Sequence, residues 1–357
     1  MRHNTGNYAG AMPYGNPVQP FEHAEHPETK RRFRNLVEVS GLHKHLVLIE
    51  PRSATEAELL RFHTPDYVAK IRELSAGIGG DAGAFTPIGR GSFEIAVLSA
   101  GGVLTGLEAI MEGRVDNAYA LVRPPGHHAL AHMGMGFCVF GNAAIAGFLA
   151  LEHYGLRRIA FVDWDVHHGN GTQSAFWENP RALTISIHQD RNFPADEGHI
   201  HERGAGARLG FSINVPLPPG SGVGAYEETF DHIVIPVLRA YRPELIIVPC
   251  GFDAGGCDPF GRMMMHSGGY RSLTTKMLAI ADELCDGRLL LCHEGGYHAP
   301  TVPFHGLAVL ETLCGVQSGV EDPFAKVLAR LGGQELQQHQ KAVIEQATPD
   351  FTILPLR

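Results

Sequence analysis

The sequence predicts a single α/β domain over residues 1–357, built on a mostly parallel sheet, and three observations carry that expectation. Six short runs are apolar throughout instead of alternating, as strands buried on both faces are. Helical patterning separates most of them and supplies the crossovers that parallel neighbours require. No internal repeat and no linker divides the 357 residues.

In chain order, residues 1–25 form a loop-rich segment of Gly, Pro, Asn and His without periodicity. Helical patterning begins over 27–40 and recurs over 56–75. Residues 77–92 are expected to form a flexible glycine loop; it lacks the GK[ST] ending of a phosphate cradle. An amphipathic helix is expected over 93–112. The six apolar runs are 118–122, 158–162, 183–187, 212–215, 245–250 and 288–292, with helices near 140–153, 224–241 and 268–285. Two further helices close the chain near 306–314 and 323–346.

Composition narrows the function. Charged residues are 19% and hydrophobic residues 44%, a globular balance and not a disordered one. The net charge of −9 argues against bulk nucleic-acid binding, which needs a basic surface. No run of 18 apolar residues is evident, so no membrane span is expected, and the first residues carry no apolar core of signal-peptide type. Six cysteines, without a CxxC pair, are expected to be reduced thiols in a cytoplasmic protein.

Of 21 histidines, nine lie between His127 and His201, where an even spread would place about four. That excess directs attention to the strand exits, where ligands bind in open α/β sheets. Val122 runs into RPPGHH, Val162 into DWDVHHGNG, Ile187 into HQD, Cys250 into GFDAGGCDP and Cys292 into HEGGY.

While the chain stays extended after Val162, Asp163, Asp165 and His167 share one face. A carboxylate and an imidazole two residues apart can chelate one divalent ion. The mixed O,N set suits zinc, and also iron or cobalt. Asp253 reaches the same edge from the next strand exit, with Asp258 either an alternative ligand or a loop-fixing carboxylate. His127 and His128 form an adjacent pair in which each discourages charge on the other, so one can serve as a neutral base. Gly295 and Gly296 permit close backbone approach, and Tyr297 could aim its hydroxyl at a developing oxyanion.

RPPGHHA, GFCVFGN, DWDVHHGNGTQ, TISIHQD, GFDAGGCDP and HEGGY stand in the order seen in zinc-dependent histone deacetylases and their bacterial relatives. The resemblance runs from about residue 26 to 316. HPETKRR, Asn170 and LPPGSG are similar to the class II branch, which includes bacterial histone deacetylase-like amidohydrolases. It implies an arginase/deacetylase-type fold around an eight-stranded, mostly parallel sheet, here without the short leading edge strand.

Residue by residue, the resemblance implies one Zn2+ on Asp165, His167 and Asp253, and Asp163 orienting His127. His128 would be the proton shuttle, with Asn170 in place of the class I carboxylate, and Tyr297 would bond the substrate carbonyl. A structural K+ would take Asp163, Ser186 and main-chain carbonyls of Asp165, His167 and Ile187. Phe137 and Phe193, with Gly136 and Phe260 nearby, would wall a narrow tunnel.

The implied reaction is hydrolysis of N-acetyl- or N-acyl-lysine amides, in protein, peptide or a small N-acyl amine. An acetylpolyamine amidohydrolase is the alternative, which Phe260 disfavours because some polyamine-specific relatives carry an acid there. A non-catalytic acyl-lysine binder is a third reading. A binuclear ureohydrolase would need more ligands than the one Asp-x-His chelate. Neither nucleic acid nor membrane is an expected partner, and homo-oligomer formation is compatible with the sequence.

Overall fold

The computed structural model describes residues 23–206 and 209–350. Six strands form the main sheet: β1 (Asn117–Ala120), β2 (Ile159–Asp163), β3 (Ala182–Gln189), β4 (Ser212–Leu217), β5 (Ile246–Cys250) and β6 (Leu289–His293). Their order is β1-β6-β5-β2-β3-β4, and every pairing is parallel. These are the six apolar runs of the sequence, shifted by a residue or two at the ends.

The runs are apolar throughout because both sheet faces are covered. Ala160, Val162, Val248 and Leu291 belong to one core cluster with Trp164 and Tyr270. Their alternates Phe161, Ile247 and Leu290 belong to a second cluster with Val103, Leu107 and Ile145. The period of two thus sorts each strand between two cores. Buried residues at 25–30 cal/mol per Å2 make these clusters the main stabilising term.

The expected count of eight strands is not met: among the described residues the parallel sheet has six. The apolar stretch 46–50 adds no strand, because Val47 and Leu48 stand 69% and 71% exposed instead of pairing with an edge. The expected loop over residues 1–25 lies mostly outside the described residues.

Two helical expectations are corrected by local chemistry, and a third, over 224–241, is met with one irregular turn. The span 56–75 breaks into Glu56–Leu59 and Pro65–Ala76, because Pro65 forces Thr64 into extended backbone and the Thr64 side chain then caps the second helix. The span 224–241 contains a π turn at Phe230–Val234 immediately before Pro236, which cannot donate a helical hydrogen bond. The span 323–346 is only Ala325–Leu328 and Gln338–Ala347, parted by a loop through Gly333 at φ +95°.

The 77–92 loop is pinned more firmly than its glycines suggest. Gly80–Asp81 pairs antiparallel with Pro87–Ile88, and Gly83–Ala84 pairs parallel with Gly134–Met135. The helix Ser92–Met111 is, by length and composition, apolar enough to cross a membrane, which the sequence reading did not anticipate. Its Val97, Ala100, Leu104 and Leu107 are instead buried in the second core.

The chain runs outward from β2 to β4 and then crosses back to β5 on the other side of β2. The crevice beyond β2 and β5 is therefore the topological switch point, where an α/β sheet leaves room for a ligand.

Candidate active site

Asp165 and His167 leave β2, and Asp253 leaves β5, on the two sides of that crevice. His167 Nδ1 lies 3.0 Å from Asp165 Oδ1 and 3.2 Å from Asp253 Oδ2. One ligand atom from each of the three lies within 4.8 Å of the others, and all three residues are buried.

Strand alternation does not bring this about. The ladder ends at Asp163, and the backbone then bends. Carboxylates hold the bend: Asp165 N–H donates to Asp163 Oδ1 at 3.0 Å, and His167 N–H to Asp165 Oδ1 at 2.9 Å. The other oxygen of Asp163, Oδ2, accepts from His127 Nδ1 at 2.9 Å. Close approach by two glycines completes the floor. A Cβ on Gly251 would stand 2.1 Å from Asp165 Oδ2, and one on Gly295 2.0 Å from Asp253 Oδ2.

The residues present fit a divalent cation. Asp253 Oδ2 is fully buried without a hydrogen-bond partner, and two carboxylates beside one imidazole form the O,N set expected of zinc. Burying such charge without a counter-ion is costly. Burial works against a charged His167, yet its hydrogen bond to Asp165 and the adjacent Asp253 carboxylate raise it to about 10, so this pocket attracts positive charge.

Asp258 is not a fourth member. Its Oδ2 accepts from Tyr297 N–H at 2.7 Å and His298 N–H at 3.2 Å, and its Oδ1 from Phe260 N–H at 3.0 Å. The loop-fixing role is the one the geometry supports. Burial, then the charge of Asp253, push it up to about 7.

The His127 and His128 rings lie tilted at 41° to one another with centroids 4.0 Å apart, but their partners differ. Burial disfavours charge on both. For His127 the charges of Asp165 and Asp163 outweigh it and raise the imidazole well above its ordinary value. His128 meets the neutral Asn170 Oδ1 at 2.8 Å, and burial, reinforced by the neighbouring His127 and His167, holds it well below.

The turn carrying the pair is anchored by a residue whose role the sequence left unassigned. Glu294 Oε2 accepts from Gly126 N–H at 2.6 Å and His127 N–H at 3.1 Å. A lone carboxylate directly after an apolar strand was the available signal. Arg123, which opens the turn, is paired with the buried Glu25 at 2.7 Å.

Of the potassium set, Asp163 and Ser186 are register partners across β2 and β3, with Ile187 next along. Ser186 Oγ also meets His188 Nδ1 at 2.9 Å and His168 Nδ1 at 3.3 Å.

A cavity of about 240 Å3 opens above the trio, lined by Gly136, Phe137, Phe193, Phe260, His128, His167 and Tyr297. All four tunnel residues expected from the sequence are thus brought together. Phe137 stands edge-on to Tyr297 at 5.9 Å, and Phe260 to Tyr297 at 4.9 Å. Phe85 and Asn192 also line it and were missed; the signal for Phe85 was an aromatic residue within the glycine loop.

A family model, the histone deacetylase domain, matches residues 23–313. The chain is 44% identical to a histone deacetylase-like amidohydrolase of Pseudomonas aeruginosa, covering 99% of this chain and 94% of that protein. It is 35% identical to a probable deacetylase of Archaeoglobus fulgidus, covering 84% of each. The crystal structure of the HDA15 HD domain superposes with TM-score 0.79 at 33% identity, covering 93% of this chain and 95% of that one. Amide hydrolysis of the deacetylase type, on an arginase/deacetylase fold, is what the family and the fold support, and the chain belongs to the histone deacetylase family.

Proposed function

We propose that the chain hydrolyses N-acyl-lysine amides in a zinc-dependent reaction. One observation supports this above others: His128, His167 and Tyr297 line a single cavity whose walls are aromatic, and His167 joins it to the buried carboxylates Asp165 and Asp253 behind. Zinc held by those three residues would polarise the amide carbonyl and acidify a water molecule.

The chain's own groups then have separable tasks. The amide oxygen of Asn170 can only accept, so the proton of His128 sits on Nδ1 and Nε2 is left as the base. His128 takes the proton of the attacking water and later gives it to the leaving amine. His127 keeps its proton against Asp163 and presents positive charge to the reaction centre. Tyr297 donates its hydroxyl hydrogen to the developing oxyanion. Phe137 and Phe193 grip the lysine methylenes and exclude water. Asp163, Ser186 and the carbonyls of Asp165, His167 and Ile187 would hold a structural potassium ion beneath.

The cavity lining includes no carboxylate, which favours a neutral acyl-lysine arm over a cationic acetylpolyamine. The test is acetate release from an acetyl-lysine peptide by protein stripped with a chelator and then reloaded with zinc. Release only after reloading supports the reading. Metal-loaded protein that binds the peptide and releases nothing would make the chain a binder.

A further inference from the structure

A separate cleft of about 750 Å3 opens beside the helix Asn170–Ala175, lined among others by Phe148, Asn170, Gln173, Trp177, Glu178 and Glu197. That volume suits a small-molecule site. The cleft shares no lining residue with the reaction cavity. One hydrogen bond joins the two: His128 lines the reaction cavity, Asn170 lines the cleft, and Nδ1 of the first stands 2.8 Å from Oδ1 of the second.

The lining is fixed from behind. Phe148 stacks on the buried Phe176 at 4.6 Å. Trp177 is held by its own backbone, N–H to the Ser174 carbonyl at 3.3 Å and carbonyl to the Ala205 N–H at 3.2 Å. Gln173 spends its amide inward: Oε1 accepts from Ser212 Oγ and Asn214 Nδ2, each at 2.8 Å, and Nε2 donates to Glu202 at 2.8 Å. What the cleft offers a ligand is therefore two half-buried aromatic rings and two exposed carboxylates, Glu178 and Glu197. No lysine, arginine or histidine lines it. Partial burial, then the charge of Glu202, push Glu197 above its ordinary value, and only the Asn170 amide opposes them. Aromatic faces attract cations as the carboxylates do. A bare metal ion would leave the rings unused, and a neutral apolar molecule would leave the carboxylates uncompensated.

From this geometry we propose that the cleft is a second binding site, for an organic ammonium ion that carries an apolar group. The ammonium lies against Glu178 and Glu197, and the apolar group lies on Phe148 and Trp177. The site goes beyond the acyl-lysine reading and does not depend on it, since neither the metal trio nor the reaction cavity contributes to the cleft.

The chain supplies its own reporters, because it has two tryptophans. Trp177 lines the cleft, and Trp164 is fully buried next to Asp165. The full chain, labelled with 15N-tryptophan, is titrated with phenethylammonium and with its neutral counterpart 2-phenylethanol, at physiological salt so that diffuse attraction is screened. The indole N–H signals are followed by NMR, and Trp177→Phe assigns them. Phenethylammonium should move the Trp177 signal, leave Trp164 in place and bind about tenfold tighter than the alcohol. Joint Glu178→Gln and Glu197→Gln substitution keeps side-chain volume at two exposed positions and should bring the two probes within about twofold. An unchanged Trp164 signal shows that this variant is folded. Equal affinity for both probes in wild type would overturn the proposal, as would an undiminished preference in the double variant. A probe that moves Trp164 and not Trp177 would place the ammonium at the metal trio and overturn it too, and so would a Trp177 signal that never moves.

Discussion

His128 Nδ1 stands 2.8 Å from the uncharged amide oxygen of Asn170, whereas 4.0 Å away the His127 ring has a carboxylate, Asp163, at 2.9 Å. Two adjacent imidazoles are thus pushed in opposite directions by their partners. Asn170→Asp should remove the difference by raising His128. A base with a higher pKa stays protonated to higher pH, so the acid limb of kcat/KM should move up by about one unit. A pH profile of wild type and variant checks this, and an unmoved limb would dissociate His128 from the base role.

Tyr297→Phe keeps the ring contacts to Phe137 and Phe260 and deletes only the hydroxyl. Turnover should fall by about 10²–10³, as for loss of one oxyanion donor. Metal content measured by elemental analysis should not change.

Asp253 and Asp258 are five residues apart and should fail differently. Asp253→Asn should abolish stoichiometric zinc binding. Asp258→Asn should keep zinc, but its amide would place N–H groups against those of Tyr297 and His298. A fall in kcat of about tenfold is expected from the displaced tyrosine. Zinc titration beside kinetics separates the two, and loss of zinc in both would return Asp258 to the ligand set.

Away from the cavity, His63 accepts from Gly141 N–H at 2.9 Å through Nε2 and meets the Ala131 carbonyl at 3.3 Å through Nδ1. Both nitrogens are engaged in the neutral form, and burial lowers the group from 6.5 to about 4. Between those values the unfolded chain binds a proton that the folded chain does not. Stability is therefore full above about pH 6.5 and falls toward pH 4, by about 3 kcal/mol at most. His188, also lowered to about 4 by burial, acts in the same sense. Urea unfolding at pH 7 and pH 5 should show His63→Gln less stable at pH 7 but with a shallower decline. An unchanged decline would place the acid sensitivity elsewhere.

Much of the fold was legible because the parallel strands are buried on both faces, and the resulting runs, such as Ile246–Cys250, leave no ambiguity of face. The trio was legible through an Asp-x-His chelate and a second strand exit. Its mechanism of assembly was not, since carboxylate-to-backbone hydrogen bonds, and not extended alternation, bend Asp165 and His167 into place. The helix break before Pro65 and the π turn before Pro236 were readable from proline chemistry in principle, but the apolar period ran through both and masked them.

The sequence by itself determined which residue types reach the sheet's carboxyl edge, because strand period and punctuation are local properties of the chain. Tertiary structure alone decided which of those residues meet. Placing β5 beside β2 brings Asp253, 86 residues beyond His167 in sequence, within 3.2 Å of it and leaves Asp258 to hold Tyr297. It also turned a glycine loop into one wall of the cavity, because the backbone ladder that holds Phe85 against Phe137 joins segments some fifty residues apart.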